Sequence, residues 1–450
     1  MDIMLILEII VLLGAIFLGV RLGGMAIGYA GGLGVVILTL GLGLKAGNIP
    51  WDVILIIMSV ISAIAAMQVA GGLDYLVQIA EKILRKNPKH INFLAPTVTY
   101  LLTIFAGTGH TAFSMIPVIA EVAKGQNIKP SVPLSISVVA SQIAITASPV
   151  SAAVIFMAGD MALGGLGISY PVLLAIWLPT TFAGCMITAF IMNLFWKQDL
   201  SQDPVYQDRL AKGLVAKPKN EGEYKELPKS SKISVLIFLL GVVAVVTYAS
   251  LISPQLGIFT SDEIKLPRDG AIMSIMLIIG ALIVILCKID VDKIALQSTF
   301  RSGMTACVCV LGVAWLGDTF VSNHTEEIKN LAGNLVKDFP VLLSVALFLA
   351  SMLLYSQAAT AKALIPTVIA ALGLTAANNG DAYIIVASFA AVSALFVLPT
   401  YPTLLGAVQM DDTGTTRIGK FIFNHPFFLP GVLAISFSVM FGFILAPIML

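Results

Sequence analysis

The sequence predicts an all-α polytopic membrane protein built as an inverted repeat, with five spans and one re-entrant hairpin in each half. Three observations carry this. The chain is 58% hydrophobic and 11% charged, where soluble domains carry about a quarter charged residues. Apolar runs long enough to cross a hydrocarbon layer of roughly 30 Å recur throughout its 450 residues. Those runs are interrupted in corresponding ways in the two halves.

Taken in order, spans are expected at 4–20, 25–44, 52–72, 131–160, 171–195, 233–252, 270–287, 303–320, 383–410 and 421–446. The opening MDIMLILEII lacks a positive flank and a small-residue cleavage site, so it reads as the first span. Two further runs, 91–122 and 340–371, are too long for one crossing. Each carries small polar residues near its middle, GTGHT (107–111) and SQAAT (356–360), and each reads as a hairpin that turns near the midplane. The spans 131–160 and 383–410 are broken by TASPVS (146–151) and LPTYPT (398–403). Proline removes a backbone donor and crowds the preceding turn. Such a break is tolerated at membrane depth only where protein or a wet cavity surrounds it.

The halves align. With Thr111 on Thr360, FAGTGHTAFSMIP (105–117) lies on LYSQAATAKALIP (354–366) and Pro117 meets Pro366. Downstream, SPVSAAVIFM (148–157) lies on YPTLLGAVQM (401–410), pairing Pro149 with Pro402. The domain reading is therefore an N-terminal repeat over 1–196, a cytoplasmic linker over 197–232, and a C-terminal repeat over 233–450. Five spans is an odd number, so the second repeat is inverted relative to the first, as in many secondary transporters. The linker is charged, mixed in sign and poor in large apolar residues, which reads as a flexible connector.

Charge sets the orientation. With both termini outside, only Lys45, Lys265, Arg268, Lys329 and Lys337 of the 26 Lys and Arg fall in external segments, and Lys362 falls in a hairpin. The opposite topology would violate the positive-inside rule. A net charge of +1 gives no case for nucleic acid. The four cysteines, Cys185, Cys287, Cys307 and Cys309, lie in or at the ends of apolar runs without metal or redox spacing, and no cofactor is expected.

The interruptions also place the site. Where a half-helix begins, its first N–H groups lack intrahelical partners and carry the positive end of the dipole. Four such starts, at two hairpin tips and after Pro149 and Pro402, would converge near the midplane as an anion site. The candidate substrate contacts are Thr108, Gly109, His110 and Thr111 at the first tip, and Thr146, Ser148 and Ser151 at the first break. In the second half they are Ser356, Gln357, Thr360 and Lys362 at the tip, and Thr400, Tyr401 and Thr403 at the break. Gly107 and Gly109 permit close backbone approach. Such a site suits a small molecule with a carboxylate at each end. A charge at membrane depth is costly, so Lys362 reads either as neutralising a dianion or as facing an outer vestibule or an acid. His110 reads either as a structural residue or as a substrate or proton contact. Glu121, Asp74 and Asp318 read as interfacial, and Asp411 and Asp412 as a cap or gate at the inner mouth.

Four stretches carry a resemblance to a known family: QVAGGLDYL (68–76), GVAWLGDTFVSN (312–323), YSQAATAKAL (355–364) and LPTYPTLLGAVQMDDTGTTRIGKFIFNHPFF (398–428). Through them the whole chain resembles the anaerobic C4-dicarboxylate (Dcu) transporters, most nearly their A-type. The resemblance implies a bacterial inner-membrane exchanger of fumarate, succinate, malate and aspartate. It also implies an elevator-type fold like that of the wider ion-transporter superfamily, commonly a homodimer. The chain departs from the A-type pattern at His110, where that pattern has Asn and the B-type has His. Related carriers hold Na⁺ with Ser-Asn-Thr tips, which GTGHT and SQAAT lack, so exchange is expected over obligatory Na⁺ symport. The competing readings are an H⁺- or Na⁺-coupled uptake symporter and an anion channel built from the same helix ends. A membrane-embedded enzyme lacks a nucleophile–base pair in this sequence.

Overall fold

In lipid a backbone must satisfy its own N–H and C=O groups, which leaves helices as the natural form of so apolar a chain. The computed structural model describes residues 3–22, 25–49, 51–109, 112–215, 226–252, 259, 263–324, 336, 338–354, 356–398, 401–419 and 423–450. Among these residues the secondary structure is helical, apart from the isolated bridges Ile128–Asp199 and Thr375–Asn378. The first part of the chain forms α1 (Ile3–Leu22), α2 (Ala26–Val36), α3 (Trp51–Val69), α4 (Gly72–Lys86), α5 (Ile91–Ala106), α6 (Ala112–Gly125), α7 (Ser131–Ala144), α8 (Ala152–Met157) and α9 (Tyr170–Phe195). A short helix, α10 (Pro204–Ala211), follows. Then come α11 (Lys229–Leu251), α12 (Arg268–Cys287), α13 (Ser298–Asn323), α14 (Val341–Leu354), α15 (Gln357–Leu372), α16 (Ala382–Ser388), α17 (Pro402–Met410) and α18 (Phe428–Met449).

Among the described residues, four helical stretches, Ser131–Met157, Tyr170–Phe195, Asp269–Cys287 and Phe428–Met449, have both the length and the hydropathy to cross a bilayer. Shorter apolar helices accompany them, among them Val341–Met352, exposed along one side, and Gln357–Leu372. Both expected interruptions of the long runs are present. α5 ends at Ala106 with Gly107 at φ +66°, and α6 starts at Ala112. α14 ends at Leu354 and α15 starts at Gln357, capped by the Ser356 hydroxyl, which accepts from Ala359 N. The span 131–160 breaks at Ser148, whose backbone is extended, and restarts as α8. The span 383–410 passes through a 3₁₀ segment, Phe389–Phe396, and restarts at Pro402 in the first position of α17.

Several elements differ from the sequence expectation. The polar stretch after 52–72 forms α4, bent by 70° from α3. Leu76, Val77, Ala80 and Leu84 line one face of it and its charges line the other, so the helix is amphipathic and packs on the α3, α5, α6 and α11 helices. The run 25–44 is a short helix continued by a π turn over Ile37–Gly41. The last span starts at Phe428 rather than near 421; His425 is buried before it, with Nε2 3.1 Å from Val397 O. The linker is structured over its first part. Asp203 caps α10, and Lys129 N donates to Gln198 O at 2.7 Å. Residues 216–225 lie outside the described set.

Buried apolar residues form one large cluster, drawn mainly from α5–α9 and α14–α18, and smaller ones in the rest. One of these joins α3, α11 and α12, with Val150 and Ile155 from the first break. Another joins α1, α2 and α13. Small residues allow the closest crossings, as membrane helices require. A Cβ on Gly312 would stand 1.9 Å from Gly28 O, so α13 meets α2 backbone to backbone. Trp177 on α9 donates from Nε1 to Val386 O at 2.9 Å and packs its ring on Phe389, tying α9 to the second broken span.

Candidate functional site

The two tips and the two breaks meet around α7. Gly109 lies against it: a Cβ there would stand 3.1 Å from Gln142 Nε2 and 3.3 Å from Ser141 O. Gln357, the first residue of α15, donates from Nε2 to Gln142 O at 3.1 Å. Thr403, in the first turn of α17, accepts from Gln142 Nε2 at 3.1 Å. One buried residue, through its side chain and its main-chain oxygen, thus joins the first tip, the second tip and the second break. Around it α15 packs on α8, and α17 packs on α6 and α7. Sequence reasoning missed Gln142. It sits inside an apolar helix where a single amide carries no pattern, and the only cue was a polar residue where lipid-facing residues were expected.

The candidate hydroxyls divide by what they bind. Thr146 donates to Ile143 O at 2.7 Å, and Thr360 donates to Ser356 O at 2.8 Å, each within its own helix. Ser148 donates to Ile104 O at 2.6 Å, pinning the first break to the first hairpin. Ser151 donates to Ile145 O at 2.6 Å and caps α8 by accepting from Val154 N. Thr146, Ser148 and Ser151 build the first break and Thr360 the second tip; their protons go to main-chain carbonyls. Gly107 has a matching role. Its left-handed backbone and a Cβ position 2.9 Å from Val150 O leave room only for glycine. Thr108 is half-buried at the tip, and Tyr401 is half-buried and extended at the start of α17. His110, Thr111 and Thr400 lie outside the described residues.

Lys362 is 3% exposed. Its Nζ stands 5.6 Å from the centroid of the Phe156 ring on α8, within cation–π range. It therefore faces the first break from the second hairpin, nearly two turns beyond the Ser356 cap of α15.

Polar contacts gather at one end of these elements. Lys124, near the end of α6, pairs with Asp412 at 2.8 Å, and Arg209 on α10 donates from Nε to Asp412 O at 2.8 Å. Asp411 accepts from Thr413 N, Thr415 Oγ1 and Thr416 N, and so shapes the loop after α17. Lys129 pairs with Asp203 at 3.0 Å. Burial pushes the Asp203 carboxyl up, but hydrogen bonds from Lys129 and the α10 backbone outweigh it and hold the pKa below the usual carboxylate value. Arg85 on α4 bridges Glu81 and Glu121. Asp318 on α13 accepts from Asn48 N and holds the loop before α3.

A bundle of apolar helices, interrupted at four places that converge on one buried centre, is the architecture of a membrane transporter rather than of an enzyme. The fold is similar to that of the YdaH transporter of Alcanivorax borkumensis, with a TM-score of 0.54 over 86% of this chain and 84% of that one at 13% identity. The family model described as anaerobic C4-dicarboxylate membrane transporter matches residues 4–450. The chain is 66% identical over 447 residues to the C4-dicarboxylate transporter DcuA of Wolinella succinogenes, covering 99% of this chain and 100% of that one. It is 55% identical to the DcuA of Escherichia coli over 99% of this chain and 100% of that one, and 39% identical to an E. coli DcuB over 98% of each. The chain belongs to the Dcu family of C4-dicarboxylate transporters, on its A-type side. It is a multi-pass membrane protein whose substrates are dicarboxylates.

Proposed function

We propose that this chain is a bacterial inner-membrane exchanger that takes up fumarate, malate or aspartate against succinate, by an elevator-type alternating-access mechanism. The observation that carries the reading is the convergence of Gly109, Gln357 and Thr403 on Gln142. It brings the starts of half-helices from both halves of the chain to one buried place, where backbone dipoles favour anions. Lys362, on the same helix as Gln357, brings a positive charge against the first break, and a dianion offsets its desolvation better than a neutral guest.

The packing supports the repeat of 1–196 and 233–450. Pair α1, α2 and α3 with α11, α12 and α13, and pair α6 and α8 with α15 and α17. The contact of α2 with α13 then corresponds to that of α12 with α3, and α1 with α2 to α11 with α12. The contact of α15 with α8 corresponds to that of α6 with α17. In the elevator reading the hairpins and broken spans move as one unit, while α1–α3 and α11–α13 hold the membrane. The boundary includes Gly317 on α13 against Ala363 on α15. Small residues there present a smooth surface for sliding.

In this reading both termini lie outside and the assembly is a homodimer. Labelled succinate efflux from proteoliposomes, with each candidate acid outside, tests the reading. Stimulation by four-carbon diacids without an ion gradient is expected. Uptake that requires a Na⁺ or pH gradient would replace exchange with coupled symport. Reporter fusions that place either terminus in the cytoplasm would overturn the orientation.

A further inference from the structure

We propose that Gln142 reads the substituent on the second carbon of the diacid, selecting aspartate and malate over succinate and fumarate. This rests on the reading of the site as the dicarboxylate site. Gln142 is fully buried. Its Nε2 is committed to Thr403 Oγ1 and its main-chain oxygen to Gln357 Nε2. Its side-chain Oε1 is buried and accepts no hydrogen bond from the described residues. A buried amide oxygen without a donor is costly, and such groups are paired in nearly all folded proteins.

Among the described residues, three hydroxyls of α7 and the first break are already spent. Ser141 gives its proton to Val138 O, Thr146 to Ile143 O and Ser148 to Ile104 O. Gly109 packs main chain against the amide, where a Cβ would stand only 3.1 Å from Gln142 Nε2, so the first tip closes directly on this residue at the point where the helix starts meet. The missing partner is a donor carried by the guest. Carboxylates at neutral pH only accept, so neither end of a dianion can fill the role. The ammonium of aspartate and the hydroxyl of malate can. Succinate and fumarate bring no donor and leave Oε1 unpaired, and a polar site discriminates strongly against analogues that lack the matching group.

The test is exchange by the full chain in proteoliposomes loaded with labelled succinate, with half-saturating concentrations measured for all four external acids. In Gln142→Met, which keeps the volume and removes the acceptor, the ratio of aspartate to succinate constants is expected to rise about tenfold or more. Malate should follow aspartate, and fumarate should follow succinate. Gln142→Glu keeps an acceptor and adds charge, and should shift the ratio the opposite way, toward aspartate. It also keeps the test available if the Met variant does not fold. A uniform change for all four acids would overturn the proposal, since it would mean that the amide only braces the break or contacts a carboxylate. So would an unchanged ratio in both variants. A wild-type protein inert to all four acids would strike the dicarboxylate reading itself, whereas a selective wild type with unselective variants strikes this proposal alone.

Discussion

Lys362 shows how a residue can be costly for folding and useful for transport. An ammonium at bilayer depth costs on the order of 2.5–3.5 kcal/mol on insertion scales, and its contact with Phe156 returns only part of that. Lys362→Gln keeps a polar side chain of nearly the same reach but removes the charge, so folding should survive while the half-saturating concentration for dianions rises about tenfold. Proteoliposome exchange beside size-exclusion profiles reads both, and unchanged affinity would remove Lys362 from the site. Gly107 makes the complementary case. Its φ of +66° and the nearby Val150 carbonyl predict that Gly107→Ala loses about 1–3 kcal/mol of stability. Gly125→Ala, which meets nothing within 4 Å, should stay within about 0.5 kcal/mol. Thermal unfolding in detergent compares the two. Gly107 was legible because paired glycines in an apolar run have few other uses. Gln142 was not, because its role depends on partners 215 and 261 residues away.

At the scale of the element, α4 and α10 were the helices the sequence reading left as polar connection. The signals were present in both. Apolar residues at Leu73, Leu76, Val77, Ala80 and Leu84 follow helical spacing among charges, but the charge run outweighed the period. Asp203 before Pro204 is a cap followed by proline in the first position of a helix. The docking of α10 makes a pH prediction. The folded pKa of Asp203 lies below its ordinary value, so its contribution is complete above the unfolded pKa of about 3.9 and is lost as pH falls through the folded value. Hydrogen exchange over 204–211 should be slow and constant from pH 7 to 5 after correction for intrinsic rates, and protection should fall below about pH 4. Asp203→Asn should weaken protection already at pH 7.

For the whole molecule, the elevator reading predicts that the boundary between α13 and α15 must slide. A Cβ on Gly317 would lie 3.7 Å from Ala363 Cβ, within the separation a disulfide spans. In a background without the native cysteines, the pair Gly317→Cys and Ala363→Cys should form a disulfide under oxidation, arrest exchange, and regain it under reductant. Full exchange with the cross-link in place would show that this boundary is fixed. The breaks that divide the molecule were readable from Pro149, Pro402 and the small polar tips, because backbone interruptions in lipid have few local causes. How the pieces pack was not readable, since contacts such as Gly312 with Gly28 and Trp177 with Val386 join distant segments.

The sequence by itself determined that the chain lives in a membrane, where its helices break, and which family it resembles. These follow from hydropathy, proline and glycine chemistry, and local motifs, all of which act over short stretches. Only the tertiary structure decided that Thr146, Ser148 and Ser151 spend their hydroxyls on building the first break and Thr360 on the second tip, and that Gln142 stands where the tips meet. Hydrogen bonds have direction and limited number, so a polar residue's role is fixed only when its neighbours in space are known.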